Sequence, residues 1–203
     1  MEKLSPSSLW PVYQRDALRA LERELQARST SPLMVQAGQA TAQLALAMAP
    51  HAQRIWVAAG PGNNGGDGLE AAMRLHQAGK EVIVSLWLAP EKHPADAKAA
   101  LARALQAGVS VQTQMPTPWL ASMTEQDLCI DALLGIGGTK PLNTELQKWV
   151  NAMNTSPAQV LAIDIPTGLD ADSGQIQPET QAVHASHTLT FLAGKPGLFM
   201  NHG

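Results

Sequence analysis

Three short segments of the sequence combine glycine with Asn, Asp or Thr in patterns that suit the binding of a nucleotide or a cation. They are GPGNNGGDG at 60–68, DALLGIGG at 131–138 and DIPTGLD at 164–170. Backbone N–H groups of clustered glycines bind anions, whereas carboxylate, amide and hydroxyl oxygens bind hard cations or the ribose and amide of a nucleotide. Together the segments predict a small-molecule site that contains positioned carboxylates.

The first segment formally matches the dinucleotide-binding pattern G-x-G-x-x-G through Gly60, Gly62 and Gly65. Asp67 makes a plain dinucleotide-cofactor site unfavourable, because a carboxylate in the first helical turn occupies the positive dipole end that a phosphate would use. A Walker loop is excluded, since the Lys-Ser or Lys-Thr pair that it requires is missing. Taken alone, the segment also fits a tight turn capped by Asp67.

Asp131 and Asp164 lie in apolar runs of the other two segments. An Asp in a buried strand costs free energy unless it has a partner. Asp131 is therefore either a ligand-binding carboxylate or a carboxylate that caps a helix or loop. Asp164 lies at the end of a predicted strand, where a catalytic or ligand-binding carboxylate is expected.

The elements that must position these residues are alternating strands and helices. Apolar runs predict strands at 55–59, 82–88, 109–112, 128–133, 160–163 and 187–191. Helical patterns occur at 12–28, 33–48, 94–106 and 143–153, and a further helix follows the first glycine segment and ends at Gly79. This alternation predicts an α/β protein with a mostly parallel sheet covered on both faces. Ligands bind beyond the carboxyl ends of such strands, so we expect the three segments to meet there.

Composition restricts the class of protein and its partners. The 203 residues are 45% hydrophobic, which suits a single domain, with N-terminal helices in residues 1–50 and an α/β core in 51–203. A net charge of -3 without a basic stripe disfavours nucleic acid as a partner. The sequence shows neither a signal peptide nor a membrane span, and Cys129 is the single cysteine, expected to be a buried thiol. We therefore expect a cytoplasmic protein with no membrane partner.

Four ordered motifs resemble those of the YjeF N-terminal domain family, the NAD(P)HX epimerases. They are GPGNNGGDG at 60–68, DALLGIGG at 131–138, DIPTGLDADSG at 164–174 and TLTFLAGKPGL at 188–198. The resemblance covers nearly the whole chain. It implies a Rossmann-like three-layer α/β/α sandwich that forms a homodimer, binds potassium (K+), and interconverts the R and S forms of hydrated NADH and NADPH in nucleotide repair. It also implies an ADP- or ATP-dependent dehydratase as a fused domain or partner, with this chain as the N-terminal half of a bifunctional protein.

The resemblance further implies roles for individual residues. Asn64, Asp131 and Thr167 correspond to potassium ligands, and Thr167 stands where the family usually has Ser. Asp164 corresponds to a substrate-binding aspartate, and we hypothesise that it is the catalytic residue that transfers a proton. The other substrate-binding positions implied for NADHX or NADPHX are Asn63, Asn64, Gly65, Gly66, Asp67, Gly135, Ile136, Gly137, Gly138, Thr139, Lys140 and Pro141.

Two alternatives to an epimerase stay open. Val35 and Gln36 replace Glu and Asn in the family's helix start L-M-E-N-A-G, which is compatible with a non-catalytic module that binds a nucleotide or a protein. An NAD-dependent dehydrogenase would need an acidic ribose partner about 20 residues beyond the glycines, and Glu91 is the nearest candidate. The helix at 33–48 is apolar nearly all round, which predicts contacts on several sides and dimerisation through the N-terminal helices.

Overall fold

The computed structural model describes residues 10–203, apart from the side chain of Lys92; the Pro- and Ser-containing start of the chain at 1–9 lies outside the described residues. The strands are β1 (Arg54–Ala59), β2 (Glu81–Leu86), β3 (Ser110–Gln112), β4 (Leu128–Ala132), β5 (Gln159–Ile163) and β6 (His187–Leu189). The helices are α1 (Arg15–Arg28), α2 (Leu33–Met48), α3 (Asn63–Gln77), α4 (Ala95–Gln106), α5 (Thr117–Leu120) and α6 (Thr144–Thr155). Within residues 10–203, no helix has the length and apolar character needed to cross a membrane.

The six strands form one parallel sheet in the order β3-β2-β1-β4-β5-β6. This confirms the predicted α/β class and the predicted parallel pairing. The strand order reverses between β1 and β4, because the chain adds β2 and β3 on one side of β1 and the later strands on the other side. In open α/β sheets, ligand sites lie at the carboxyl ends of the strands at such a reversal. The segments that follow β1 and β4 are the first two glycine segments.

The core lies on both faces of the sheet, because successive side chains of each strand point to opposite sides. In β1, Val57 packs in the layer that includes α2, α3 and α4, whereas Trp56 packs in the layer of α6 with Trp149. Cys129 lies in this second layer as the predicted buried thiol, and burial raises its pKa to about 12. The thiol is therefore protonated at neutral pH, which makes it a weak nucleophile.

The predicted strands and long helices all occur, and their ends differ by one or two residues except at two starts: α1 begins at Arg15 instead of residue 12, and α3 begins inside the predicted loop. The four-residue helix α5 was not predicted, because it is too short to show a helical period. The prediction that α2 has contacts on several sides is wrong: it buries Met34 and Thr41 on one face and exposes three glutamines on the other. These glutamines are Gln36, Gln39 and Gln43, and their spacing of three and four residues places them on one side of the helix.

The start of β4 is held to β1 by a buried ion pair that we expect to make stability depend on pH. Asp127 accepts hydrogen bonds from Arg54 Nη2 at 2.9 Å and from the Thr124 N–H at 2.8 Å. Burial by itself would raise the pKa of Asp127, but the hydrogen bonds from Thr124 and Arg54 outweigh it and lower the pKa. Because the folded pKa lies below the unfolded one, this stabilisation is present above the unfolded pKa and is lost as the pH falls through the folded pKa.

Asp127→Asn should therefore lower the free energy of unfolding by about 1–3 kcal/mol at neutral pH, the usual cost of losing a buried charged hydrogen-bond partner. The difference from the wild type should shrink in acid. Urea unfolding at neutral and acidic pH measures both quantities, with the exposed Asp16→Asn as the control. A deficit that is the same at both pH values would contradict this assignment.

Candidate active site

A cavity of about 700 Å³ opens at the carboxyl ends of β1, β4 and β5. Helices α1 and α2, the start of α3 and the loops after β4 and β5 surround it. The predicted site residues that line it are Asn63, Asn64, Asp67, Gly135, Ile136, Gly137, Gly138 and Asp164. The structure thus brings parts of all three sequence segments to one place, as expected for parallel strands that end at the same edge.

Other predicted site residues lie away from the cavity wall. Thr139 and Lys140 line a separate small depression, and Pro141 is exposed. Gly65 and Gly66 are buried, and their Cα atoms face protein rather than open space. A Cβ atom on Gly66 would lie 2.5 Å from the methyl group of Met34, so this glycine permits close packing of α3 against α2.

The sequence predicts a loop for the first glycine segment, but in the structure most of the segment is helical. Helix α3 begins at Asn63, inside the segment, and Gly62 occupies the N-cap position without a side-chain cap. The predicted turn capped by Asp67 is therefore wrong, since Asp67 lies one turn inside the helix and faces the cavity. Local propensity favours a loop for Asn-Asn-Gly-Gly, but close packing of α3 on the sheet stabilises the helix here.

The surroundings of Asp67 favour its protonated form. Burial raises the pKa of Asp67 well above its ordinary value, and the negative charges of Asp164, Glu22 and Glu70 raise it further. Removing a carboxylate from water disfavours the charged state, and nearby charges of the same sign add to that effect. Asp67 is thus a carboxyl group that can carry a proton into the cavity at a pH where ordinary aspartates are ionised.

Asn64 is buried at the cavity wall, with 8% of its surface exposed. Among the described residues, neither Oδ1 nor Nδ2 of its amide has a hydrogen-bond partner. A Cβ atom on Gly135 would lie 3.4 Å from Asn64 Oδ1, so the amide lies directly against the second glycine segment. Buried amides are nearly always hydrogen-bonded, and a bound ligand is therefore expected to complete this one.

Asp131 and Thr167 join the loops that follow β4 and β5. Asp131 Oδ1 accepts hydrogen bonds from the Thr167 hydroxyl at 2.7 Å and the Leu133 N–H at 3.1 Å, and its Oδ2 accepts from the Thr167 N–H at 2.7 Å. The Thr167 hydroxyl also accepts from the Leu134 N–H at 3.0 Å. Asp131 therefore links the two loops through its hydrogen bonds, and its role as a cation ligand stays a prediction. Burial raises the pKa of Asp131 to about 6, although the hydrogen bonds from Thr167 and Leu133 oppose the shift.

Asp164 lies just beyond β5 and forms an ion pair with Lys195. Its φ of 69° places it in the left-handed region, which is uncommon for residues other than glycine and is frequent at functional sites. Lys195 Nζ donates to Asp164 Oδ1, and also to Thr190 Oγ1 at 2.6 Å and the Phe191 carbonyl at 2.9 Å. Asp164 Oδ2 instead faces the second glycine segment, 3.2 Å from the position of a Cβ atom on Gly135.

Lys195 is a site residue that the sequence analysis missed. It is 1% exposed and lines the cavity, and Asp164 supplies the counter-charge that a buried ammonium group needs. The available signal was a lone lysine within the apolar motif TLTFLAGKPGL, between Gly194 and Pro196. Nothing in the sequence of helix α1 indicates that this helix forms a wall of the cavity, which Arg19 and Glu22 line.

Helix α1 is held over the cavity by the third sequence segment. Arg15 Nη2 donates to Asp170 Oδ2 at 2.9 Å, and the Arg15 N–H donates to Asp172 Oδ1 at 2.8 Å. Asp170 Oδ1 in turn accepts from the N–H and hydroxyl of Ser173, both at 2.8 Å. The part of the motif that follows Gly168 is therefore structural, since it orders its own loop and anchors α1.

Residues 30–197 match the family described as YjeF-related protein N-terminus. The chain belongs to this family. An NAD(P)H-hydrate epimerase of Bordetella pertussis is 37% identical over 179 residues, which make up 87% of this chain and 75% of that protein. An NAD(P)H-hydrate epimerase of Rhodopirellula baltica is 36% identical over 165 residues, 81% of this chain and 66% of that protein.

A longer relative and a solved structure extend the comparison. The bifunctional NAD(P)H-hydrate repair enzyme Nnr of Coxiella burnetii is 37% identical over 191 residues. The match spans 93% of this chain but only 38% of that protein. The crystal structure of the yeast protein ynu0 superposes with a TM-score of 0.80 at 22% identity, covering 94% of this chain and 84% of the yeast chain. The yeast structure supports the Rossmann-like fold.

Proposed function

We propose that the protein is an NAD(P)H-hydrate epimerase, which interconverts the R and S forms of hydrated NADH and NADPH. The observation that carries this proposal is the convergence of the unpartnered Asn64 amide, the Gly135–Gly138 backbone and the Asp164 carboxylate in one cavity. The family match and the names of the relatives that cover most of this chain support the same activity.

The chemistry requires a group that moves protons. Hydrated NADH carries a hydroxyl on C6, beside the ring nitrogen, and this carbon must become planar before it can invert. Protonation of the hydroxyl allows it to leave as water, while the nitrogen lone pair forms an iminium. Water then adds to the opposite face. We assign proton transfer to Asp164, whose Oδ2 faces the cavity, since a positioned carboxylate is suited to this role.

Substrate contacts are proposed for the residues at the cavity wall. Asn63, Asn64 and Asp67 would contact the substrate from α3, and Gly135–Gly138 from the loop after β4. Gly65 and Gly66 would act indirectly by allowing α3 to approach its neighbours. We propose no direct contact for Thr139, Lys140 and Pro141, because they lie outside the lining of this cavity.

A potassium site at Asn64, Asp131 and Thr167 is a further proposal. Among residues 10–203, no group of three or more His, Cys, Asp and Glu side chains is arranged to hold a metal ion, but potassium ligands need not be of these types. Asn64 Oδ1 lacks a protein partner, and Asp131 and Thr167 each keep a lone pair after the contacts described above. The donors are all oxygens, and together they carry one formal negative charge, which suits potassium better than zinc or magnesium. The ion would hold the loops in place.

We expect potassium to raise both the thermal midpoint and the epimerase rate relative to the same concentration of tetramethylammonium, which is too large to fit between these oxygens. Asn64→Ala should abolish the difference, because it removes the ligand oxygen that has no protein partner. Differential scanning fluorimetry and initial rates provide the two measurements. Equal midpoints and rates in the two salts would remove potassium from the proposal.

The decisive experiment for the function uses a single epimer of hydrated NADH. We expect the protein to convert pure R epimer to the equilibrium mixture, followed by chromatography of the two diastereomers. A non-catalytic binding module would leave the mixture to change at the uncatalysed rate. A dehydrogenase would instead transfer hydride to or from NAD, but Glu91, its candidate ribose ligand, lies outside the lining of the cavity.

The assembly implied by the family resemblance also remains a proposal. We propose a single epimerase domain that acts in the cytoplasm as a homodimer, together with an ADP- or ATP-dependent dehydratase on the same or another polypeptide. The prediction that α2 forms the dimer contact depended on an apolar outer face, and in the structure glutamines occupy that face. Sedimentation at tens of micromolar tests the dimer, because a standard-size interface associates in that range.

A further inference from the structure

The cavity contains two carboxyl groups whose surroundings are opposite in character. Asp164 is paired with the ammonium group of Lys195, which is buried and uses its three N–H groups on Asp164, Thr190 and Phe191. Asp67 has no ion pair and no hydrogen bond from its side chain among the described residues, although it faces the same cavity. Paired carboxyl groups with such different environments commonly divide the roles of acid and base.

The charged groups around Asp67 are mostly negative. Asp164 and Glu22 line the same cavity, Glu70 lies on the same helix, and the negative charges of all three act on Asp67. Glu70 is itself paired with Arg103 of α4. The remaining charged residues that line the cavity are Arg19, Asp96 and Lys195. Lys195 is already paired with Asp164, so the surroundings of Asp67 favour its neutral form over the carboxylate.

We propose that Asp67 is a second catalytic residue, which donates a proton to the departing hydroxyl, while Asp164 accepts a proton from the water that returns. This inference rests on the proposed epimerase function. Inversion at one carbon needs a proton donor on one face and an acceptor on the other. Asp67 on α3 and Asp164 beyond β5 belong to different walls of the cavity, which fits that requirement.

The proposed step balances without any further reactant. The proton of the Asp67 carboxyl group moves to the C6 hydroxyl oxygen, the C6–O bond breaks, and its electron pair leaves with water. The nitrogen lone pair forms the C=N bond of the iminium. Water adds to C6 from the other face, the C=N electron pair returns to nitrogen, and the surplus proton of the water moves to Asp164. Exchange with solvent then restores the proton on Asp67, and the reverse reaction uses the two residues in exchanged roles.

The closing experiment compares Asp67→Asn with the wild type, starting from each pure epimer. We expect kcat to fall about a hundredfold or more in both directions, the size usual for a lost general acid, with KM changed only a fewfold. In the wild type, kcat/KM should fall as the pH rises through the pKa of Asp67. This fall should appear in both directions, because each direction needs one proton on the Asp67–Asp164 pair. The proton is on Asp67 in one direction and on Asp164 in the other. Asp16→Asn, on the exposed surface of α1, is the control and should keep the wild-type rate.

A carbon-detected NMR titration of the wild-type carboxyl groups provides a readout that does not require activity. We expect Asp67 to titrate above the ordinary range of aspartic acids. If the wild type is active and the rate of Asp67→Asn is within threefold of it, this inference is overturned and the epimerase function stands. The same conclusion follows if Asp67 titrates like an exposed aspartate. A wild-type protein that converts neither epimer would overturn both.

Discussion

Replacing Asp164 with Asn should slow epimerisation about a hundredfold or more, because the amide keeps the size of the side chain but cannot accept a proton. The substitution should also lower the free energy of unfolding, since it leaves the buried ammonium of Lys195 without its counter-charge. Breaking a buried pair by removing one partner costs about 3 kcal/mol or more. For a chain of this length we expect a fall of roughly 6–12 °C in the thermal midpoint.

The double variant Asp164→Asn with Lys195→Met separates the two effects. Replacing both members of a buried ion pair by uncharged groups is often neutral for stability, so much of the lost thermal stability should return. Epimerase activity should not return, because neither new side chain can accept a proton. Diastereomer chromatography and thermal unfolding of the wild type, the single variant and the double variant give the comparison. Recovery of the rate together with stability would mean that Asp164 serves only to hold Lys195 in place.

Replacing Gly65 with Ala should strongly destabilise the first glycine segment. A Cβ atom at this position would lie 1.9 Å from the carbonyl oxygen of Gly60, which is backbone and cannot rotate away. Gly60 is itself confined, because its own Cβ atom would lie 1.8 Å from the Leu133 carbonyl oxygen. The end of β1, the start of α3 and the loop after β4 therefore approach one another through their backbones at the edge of the cavity.

We expect Gly65→Ala to lower the free energy of unfolding by at least about 3 kcal/mol, at the upper end of the usual cost of overpacking. The matched control is Gly62→Ala, three residues earlier in the same segment, because a Cβ atom there would meet no atom within 4 Å. That change should cost less than about 1 kcal/mol, the usual scale for an altered N-cap. Denaturant unfolding of both variants measures the difference. Equal stabilities would show that the segment is not held by this backbone contact.

Several features of the protein could be predicted from the sequence because they depend on neighbours along the chain. Alternating apolar runs and helical patterns predicted the six strands of the parallel sheet and its long helices within one or two residues at most ends. The position of Asp164 after β5 followed from the same pattern, as did the expectation that three strand-end segments would meet. Hydrophobic periodicity reports such features directly, since each residue faces the core or solvent according to its place in the element.

The tertiary structure decided which groups in those segments face one another. The sequence predicts Asp67 either as the cap of a tight turn or as a substrate-binding residue, and only the packing of the glycines, which extends α3 by a turn, directs its side chain into the cavity. Lys195 is 31 residues beyond Asp164 along the chain, and their ion pair forms only because β6 places the final turn beside β5. Desolvation and charge pairing depend on which distant segments surround a side chain, so the chemical states of these carboxyl groups arise from the folded arrangement.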